Sequence, residues 1–497
     1  MSEPRPVAVI VLAAGEGTRM KSRIPKVLHA LCGRSMLGHA LAAASELDPE
    51  RLVVVAGHAR AEVSAEAVRY APGVCVVIQE RLAGTGNAVR MVTEALGVMP
   101  GIVVVTYGDM PLLKAQTLSA LVREHAAAGN AVTVLTARIG DPAGYGRIVR
   151  DEAGGLAGIV EDVDATAEQR AITEINSGCY AFDGTLLADA IKRVATSNAQ
   201  GQEYLTDVVA IMRGDGHRAG TVLAADPAEI QGVNDRVQLA QARRAYNARL
   251  LEAWMRAGVT ITDPAATWID VGVTLAPDVE ILPGTHLEGT TAIGSGARIG
   301  PGCVLRDTSV EPDATVTYAV CESAEIASEA SVGPFARLRP GTRIGPGAHI
   351  GSYVELKNAT VGDGAKVPHL SYVGDADIGA HSNIGAATIF VNYDGVAKHH
   401  STVGDHVRIG SDTMLVAPVT IGDGAFTAAG SVITEDVPAG ALGIARGKQH
   451  NSAGWVERRH PASAPAAAAA RARQAAAPGP AETAVPAGNE DEGAQGQ

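Results

Sequence analysis

The stretch SVGPFARLRPGTRIGPGAHIGSYVELK, residues 331–357, decides how the C-terminal half of the chain is read. Val332, Leu338, Ile344, Ile350 and Leu356 recur in it every six residues, with glycine after Ile344 and Ile350. A period of six fits neither an α-helix nor an unbroken strand. It is the period of a hexapeptide solenoid, in which each hexad is a short strand plus a turn. Working outward, the same spacing holds at Ile293, Ile299 and Leu305, at Val361, Val367 and Val373, and at Ile409, Leu415 and Ile421. No coil buries its own apolar face, so a prism with coils stacked roughly 4.8 Å apart supplies the core. The repeat runs over 278–442 with one interruption. Between Ile389 and Val403 the polar, turn-rich string FVNYDGVAKHHST reads as a loop thrown out of the prism.

Towards the N-terminus the pattern changes twice. Residues 235–258 read as one helical linker arm, with Val237, Leu239, Tyr246, Leu250, Leu251, Trp254 and Met255 on its apolar positions and Gly258 where a C-cap belongs. Before it, short aliphatic runs (7–12, 52–56, 75–78, 102–106 and 131–136) alternate with helical segments (37–46, 87–96 and 116–128). That alternation predicts a mostly parallel sheet covered on both faces. The expected organisation is a 1–234 α/β domain of Rossmann-like type, a 235–258 arm, a 259–460 prism and a 461–497 tail. The tail is rich in Ala, Pro and Gly, offers no apolar face, and reads as disordered.

Composition narrows the function classes. Lys and Arg number 41 against 54 Asp and Glu, a net charge of −13, and aromatics are 3%. An acidic chain with few stacking rings argues against a nucleic-acid binder, which would need a basic face. The five cysteines are scattered without a CxxC pair, as expected of reduced thiols. No run approaches the ~20 apolar residues of a membrane span. The expectation is a cytoplasmic protein without integral membrane contact.

The strand at 7–12 runs into AAGEGTRM, residues 13–20, with Pro25-Lys26 following. Gly15 and Gly17 let the backbone approach a triphosphate, and Arg19 and Lys26 bring positive charge. The spacing is neither a P-loop nor a dinucleotide fingerprint. The whole string, however, resembles the sugar-nucleotide pyrophosphorylases, nucleotidyltransferases on a Rossmann-like sheet. Gln79 with Gly84-Thr85-Gly86, Tyr107-Gly108-Asp109, Gly146-Arg147, Glu161, Asn176 and Gly232-Val233-Asn234 extend the likeness. The resemblance implies that Leu12, Ala13, Ala14, Gly15, Tyr107 and Gly108 line the nucleotide and sugar-phosphate site. It implies that Gln79, Gly84 and Thr85 hold the uracil of UTP, and that Gly146, Glu161 and Asn176 hold the sugar. Some members carry Gln where this chain has Leu82. Asp109, just past a buried strand, suits Mg²⁺ between phosphates; alone it would read as a turn residue. Asn234 is the second metal contact by resemblance, and equally a cap for the helix it precedes.

In the prism, Phe335–Gly341, Val354–Lys357, His369–Asp375, Asn383–Ala386 and Asn392–Gly395 recur in order. With the first domain they resemble the bacterial bifunctional N-acetylglucosamine-1-phosphate uridylyltransferase/glucosamine-1-phosphate acetyltransferases, over residues 7–459. The resemblance implies a left-handed β-helix, a homotrimer, Mg²⁺, and acetyl-CoA and UTP as substrates. The product would be UDP-N-acetylglucosamine, a precursor for the cell wall. It assigns Arg339, Lys357, Tyr372 and Asn383 to the sugar phosphate, and His369 as general base. Ala386, Asn392, Tyr393, Ser411, Ala429 and Arg446 fall to acetyl-CoA. An ammonium cannot attack a thioester, so a base near neutral pKa is needed, and His suits it. Pro368 and Ala387 stand where many relatives have Gly, and Gly447-Lys448-Gln449 replaces a usual Pro-containing string.

Three rival readings remain open at this level. A single-function pyrophosphorylase would use the prism only for regulation or oligomerisation. A prism binding zinc at subunit contacts would need three converging histidines, yet no H-x-x-x-x-H pair occurs. A non-catalytic scaffold leaves the first-domain motifs unexplained.

Overall fold

The structure, a computed structural model, describes residues 4–476 apart from 197 and 199. It divides into two compact units, Met1–Ile444 and Ala445–Gln497.

Ala8–Ala13 (AVIVLA) is buried along its whole length, as a strand covered on both faces must be. Its side chains alternate between two cores. Val9, Val11 and Ala13 pack with Leu37, Leu41 and Leu118, whereas Ala8, Ile10 and Leu12 pack with Val89, Leu187 and Val208. The helices Met36–Ser45, Thr85–Leu96 and Ala115–Ala128 stand where the spacing predicts them. Arg51–Ala56 and Ile102–Tyr107 flank Ala8–Ala13 in parallel, and Cys75–Ile78 extends that side. On the other side Glu174–Asp183 inserts antiparallel between Ile102–Tyr107 and Val132–Arg138. The aliphatic runs do not mark this strand, because EINSGCYAFD mixes polar and apolar residues even though nearly all are buried. The sheet is therefore mixed at its centre.

The arm is the helix Arg236–Arg256, capped by Asp235, whose carboxylate accepts from the Gln238 N–H at 2.8 Å. The chain leaves it at Gly258 with φ +97°, a conformation glycine adopts without strain. Leu239, Ala242 and Leu251 are buried, but Val237 is 67% exposed, so the apolar face is narrower than the spacing predicts. Asn247 is buried and joins arm to prism. Its amide donates to the Thr267 carbonyl at 2.8 Å and accepts from the Ile269 N–H at 3.1 Å.

Beyond the arm, short strands stack as three walls of a left-handed parallel β-helix, starting at Thr260-Ile261 and ending at Leu442-Gly443. Ile281, Ile299, Val316, Val332, Ile350 and Val367 follow one another down one wall in register. Each is almost wholly buried. The hexads turn so tightly that non-glycine residues such as Phe335, Tyr353, Asn358 and Asp375 take positive φ at the corners. The five cysteines are free, and no helix among the described residues is long and apolar enough to cross a membrane.

In the second unit a helix spans Ala464–Ala476 with Ala466 buried, inside the stretch read as tail. The remainder of that stretch, 477–497, lies outside the described residues.

Candidate functional site

The turn after Ala8–Ala13 is shaped by one glycine. Gly17 has φ +64°, and a Cβ there would lie 2.4 Å from the Lys26 Cβ. Only glycine lets the loop close onto Lys26. Lys26 Nζ in turn forms an ion pair with Asp109 and reaches Asn234 Oδ1 at 3.1 Å. The Asp109 carbonyl accepts from the Val233 N–H at 2.9 Å, which brings the residue before the arm onto the sheet edge.

Two adjoining cavities open around this cluster. The smaller, about 280 Å³, is lined by Leu12, Ala13, Ala14, Gly15, Lys26, Gln79, Gly84, Thr85, Tyr107 and Asp109. The larger, about 490 Å³, holds Arg19, Gly146, Glu161, Asn176 and Asn234, and shares Thr85, Tyr107, Asp109 and Gln202 with the first. Leu82 lines the smaller cavity. Tyr107 fits beside the sheet because Gly178, φ +83°, carries no Cβ to strike its ring. Gly108 lies outside both linings, and its N–H is taken by the Leu12 carbonyl at 2.9 Å. It holds two strand ends together rather than facing a cavity.

Burial raises the pKa of Glu161, and Asp207, Asp164 and Asp162 add to the rise. The Thr206 hydroxyl donates to its carboxylate at 3.2 Å and opposes the shift. Asn176 is fixed by donating to the Tyr180 hydroxyl at 2.8 Å and accepting from the Gly178 N–H at 2.9 Å.

Sequence reasoning missed Gln202, Tyr204 and Thr206, which line the larger cavity. They sit on a strap bound across the 83–86 loop. Glu203 N–H donates to the Ala83 carbonyl and Gly86 N–H to the Glu203 carbonyl, both at 2.8 Å. Leu205 N–H donates to Thr85 Oγ1 at 3.1 Å, and Arg90 clasps the Glu203 carboxylate at 2.7 and 3.0 Å. No periodicity marks GQEYLTD, so only the tertiary structure reveals it.

Mg²⁺ takes oxygen donors and often needs only one or two protein ligands beside phosphate and water. Asp109 and Asn234 offer a carboxylate and an amide oxygen, and they already enclose a positive charge. These residues fit the ion.

In the prism, Arg339 Nη1 pairs with Glu355 Oε1 at 3.0 Å, and Lys357 Nζ lies 3.6 Å from Asp375 Oδ1. Gly374 stands next to Lys357 on the neighbouring coil. A Cβ on Gly374 would lie 2.5 Å from the Tyr372 hydroxyl and 2.7 Å from Asn392 Nδ2, so these two groups close over the same spot. Lys398, also missed, comes from the inserted loop to the neighbourhood of Lys357, which lowers the Lys398 pKa. His369 is exposed at the end of Lys366–His369, its carbonyl accepting from Ser371 Oγ at 2.9 Å. Asn383 follows on the next coil, in register with Lys366. Ala386, Ser411 and Ala429 hold equivalent corners on successive coils. A Cβ on Gly385 would meet the Ser411 nitrogen, and one on Gly410 the Ala429 nitrogen, each at 2.5 Å. Asn392 is buried, whereas Tyr393 is exposed and donates its hydroxyl to the Gly395 carbonyl. Arg446 belongs to the second compact unit.

Of the prism histidines, His381 and His406 stack with ring centroids 5.1 Å apart. His399 bonds to Asp394 and His400 to Asp377. Among the described residues no three His, Cys, Asp or Glu side chains form a metal-binding group.

Residues 9–172 match the MobA-like NTP transferase domain family, and residues 320–433 match the GMPPB C-terminal domain family. The chain is 60% identical over 477 residues to the bifunctional protein GlmU of Thermobifida fusca, covering 95% of this chain and 99% of that protein. It is 61% identical over 471 residues to the bifunctional protein GlmU of Streptomyces avermitilis, covering 94% and 98%. With a nucleotidyltransferase sheet, a hexapeptide prism and this near full-length identity, the chain belongs to the bifunctional GlmU family of uridylyltransferase–acetyltransferases.

Proposed function

We propose that the two activities occupy the two sites just described, with the following division of work. Glucosamine 1-phosphate is acetylated from acetyl-CoA in the prism. The N-acetylglucosamine 1-phosphate formed then accepts UMP from UTP in the first domain, releasing pyrophosphate.

The uridylyl step needs no protein nucleophile. A sugar-phosphate oxygen attacks the α-phosphorus of UTP, so the residues align reactants and neutralise charge. Arg19 and Lys26 face the phosphates, Gln79, Gly84 and Thr85 take the base, and Gly146, Glu161 and Asn176 take the sugar. A bound Mg²⁺ would be held by Asp109 and Asn234 and would neutralise phosphate charge. The observation that carries this reading is the convergence of Lys26, Asp109 and Asn234 where the two cavities meet.

In the acetyl step Arg339 and Lys357 grip the phosphate, with Tyr372 and Asn383 completing the pocket. His369 removes a proton from the substrate ammonium, so that the amine can attack the thioester. Ala386, Asn392, Tyr393, Ser411 and Ala429 receive acetyl-CoA. A homotrimer is supported by an exposed apolar ladder on one prism corner. Tyr318, Phe335 and Tyr353 stack at 5.4 and 5.3 Å, and Leu370 continues them. Solvent disfavours such a stripe, and further copies of the chain would cover it. The domain limits at 234, 258 and 460 and a cytoplasmic location are part of the same proposal.

The test is to assay the purified chain twice: for thiol release from acetyl-CoA with glucosamine 1-phosphate, and for pyrophosphate release from UTP with N-acetylglucosamine 1-phosphate. Both reactions are expected. Pyrophosphate release alone would favour a single-function enzyme with a non-catalytic prism.

A further inference from the structure

Behind the proposed acetyl-transfer residues lies a carboxylate to which the reading above gives no role. Asp375 occupies a coil corner with φ +49° and is 9% exposed. Its Oδ1 accepts from Asn358 Nδ2 at 2.8 Å and lies 3.6 Å from Lys357 Nζ. Its Oδ2 accepts from Asn392 Nδ2 at 2.5 Å. One buried group thus touches a side chain assigned to the sugar phosphate and another assigned to acetyl-CoA.

The chemistry of the contact fixes more than proximity. An ionised carboxylate only accepts, so it selects the NH₂ side of Asn392 and leaves that amide's carbonyl oxygen as the group free to face a ligand. On the other side Asp375 holds one charge of a crowded set. Lys357, Lys398 and Arg339 interact with one another there, and Glu355 is engaged with Arg339. Without Asp375, three cations would face one carboxylate, and repulsion would drive the Lys357 ammonium outward. Burial alone would raise the Asp375 pKa. The hydrogen bonds from Asn358 and Asn392, with the charges of Lys357 and Lys398, outweigh it and hold the carboxyl below its ordinary range.

We propose that Asp375 is a positioning residue that aims Lys357 at the sugar phosphate and Asn392 at acetyl-CoA, coupling the two halves of the acetyl-transfer site through one carboxylate. The inference rests on the assignment of Lys357 and Asn392 to those substrates. Asn358 serves as its buttress, since it occupies the neighbouring corner with φ +46° and satisfies an oxygen that would otherwise be buried without a donor.

The test is a pair of double-mutant cycles on the full-length chain. Asp375→Asn keeps shape and tolerates the left-handed corner, but removes the charge and sets an amide against two amide donors. Alone it is expected to raise the apparent KM for both glucosamine 1-phosphate and acetyl-CoA on the order of tenfold, with a smaller change in kcat. In a Lys357→Ala background it should still raise the KM for acetyl-CoA but no longer that for the sugar phosphate. In an Asn392→Ala background the converse should hold. A purely structural role would give additive effects on both constants in both backgrounds, and that result would overturn the proposal. Should Lys357→Ala and Asn392→Ala themselves leave acetyl transfer unchanged, the underlying site assignment fails instead. The thermal melting curve of the full-length chain monitors folding of the prism, which uridylyl transfer in the first domain does not report. If Asp375→Asn melts well below the parent, Asn358→Gly, which suits the left-handed corner, replaces it in the same cycles, and additivity there overturns the proposal equally.

Discussion

Lys26 Nζ lies between the Asp109 carboxylate and the Asn234 amide oxygen, ion-paired to the first and 3.1 Å from the second. The two oxygens are separated widely in sequence, and the ammonium marks where they accept a positive charge. Both side chains of the ion pair are largely shielded from water, so the charge there is not a loose surface contact.

That geometry predicts a metal dependence confined to one activity. Chelation with EDTA should abolish pyrophosphate release and leave thiol release intact. Added Mg²⁺ should restore the first, and Asp109→Asn should raise the Mg²⁺ concentration needed for half-restoration. A chelator that stops thiol release, or an unchanged Mg²⁺ requirement in the variant, contradicts the assignment.

The Arg90–Glu203 clasp anchors the strap carrying Gln202, Tyr204 and Thr206. Arg90→Ala should raise the KM for N-acetylglucosamine 1-phosphate by roughly three- to tenfold while changing kcat less. The reversed pair Arg90→Glu with Glu203→Arg should recover most of the loss. Steady-state kinetics on the three proteins decides it, and no recovery in the reversed pair counts against the clasp.

Glu161 gives a pH-dependent prediction. Its folded-state pKa is raised above 4.5, first by burial and then by neighbouring aspartates. The protonated form is therefore favoured by folding, and its contribution to stability is present below the unfolded value and lost as pH rises through the folded one. Glu161→Gln should melt higher than the parent at neutral pH, with the gap narrowing as pH approaches 4.5. The same variant should bind N-acetylglucosamine 1-phosphate less well. Melting curves that coincide across this range would remove the predicted effect.

Gly351 lies on the coil preceding His369, and a Cβ there would sit 2.0 Å from the Pro368 carbonyl oxygen. Backbone cannot give way as a flexible side chain does, so Gly351→Ala should displace the segment carrying His369. Acetyl transfer is expected to fall by about tenfold or more, because small misplacement of reacting groups is costly. Uridylyl transfer should persist. Equal activity of variant and parent would show that the coil adapts.

The prism was legible because Val332, Leu338, Ile344, Ile350 and Leu356 each enter one narrow core, and a narrow core imposes its period on the sequence. The nucleotide loop was legible through Gly17, whose φ and contact with Lys26 exclude other residues. Other features carry no such local mark. Glu174–Asp183 is buried by its neighbours rather than by an aliphatic run. Val237 follows helical spacing yet faces solvent, since spacing does not reveal how much of a helix its neighbours cover. Asp375 looks like any turn aspartate until Asn392, on a later coil, closes against it.

The central claim is that two independent sites share one chain, and crossed variants test it most directly. Asp109→Asn and His369→Ala are each assayed for both activities in the full-length protein. Asp109→Asn should lose uridylyl transfer by about 10²–10³-fold and keep acetyl transfer. His369→Ala should lose acetyl transfer by about 10²–10⁴-fold, mostly in kcat and partly rescued at higher pH, and keep uridylyl transfer. Loss of both activities in either variant, or normal acetyl transfer in His369→Ala, would contradict the account.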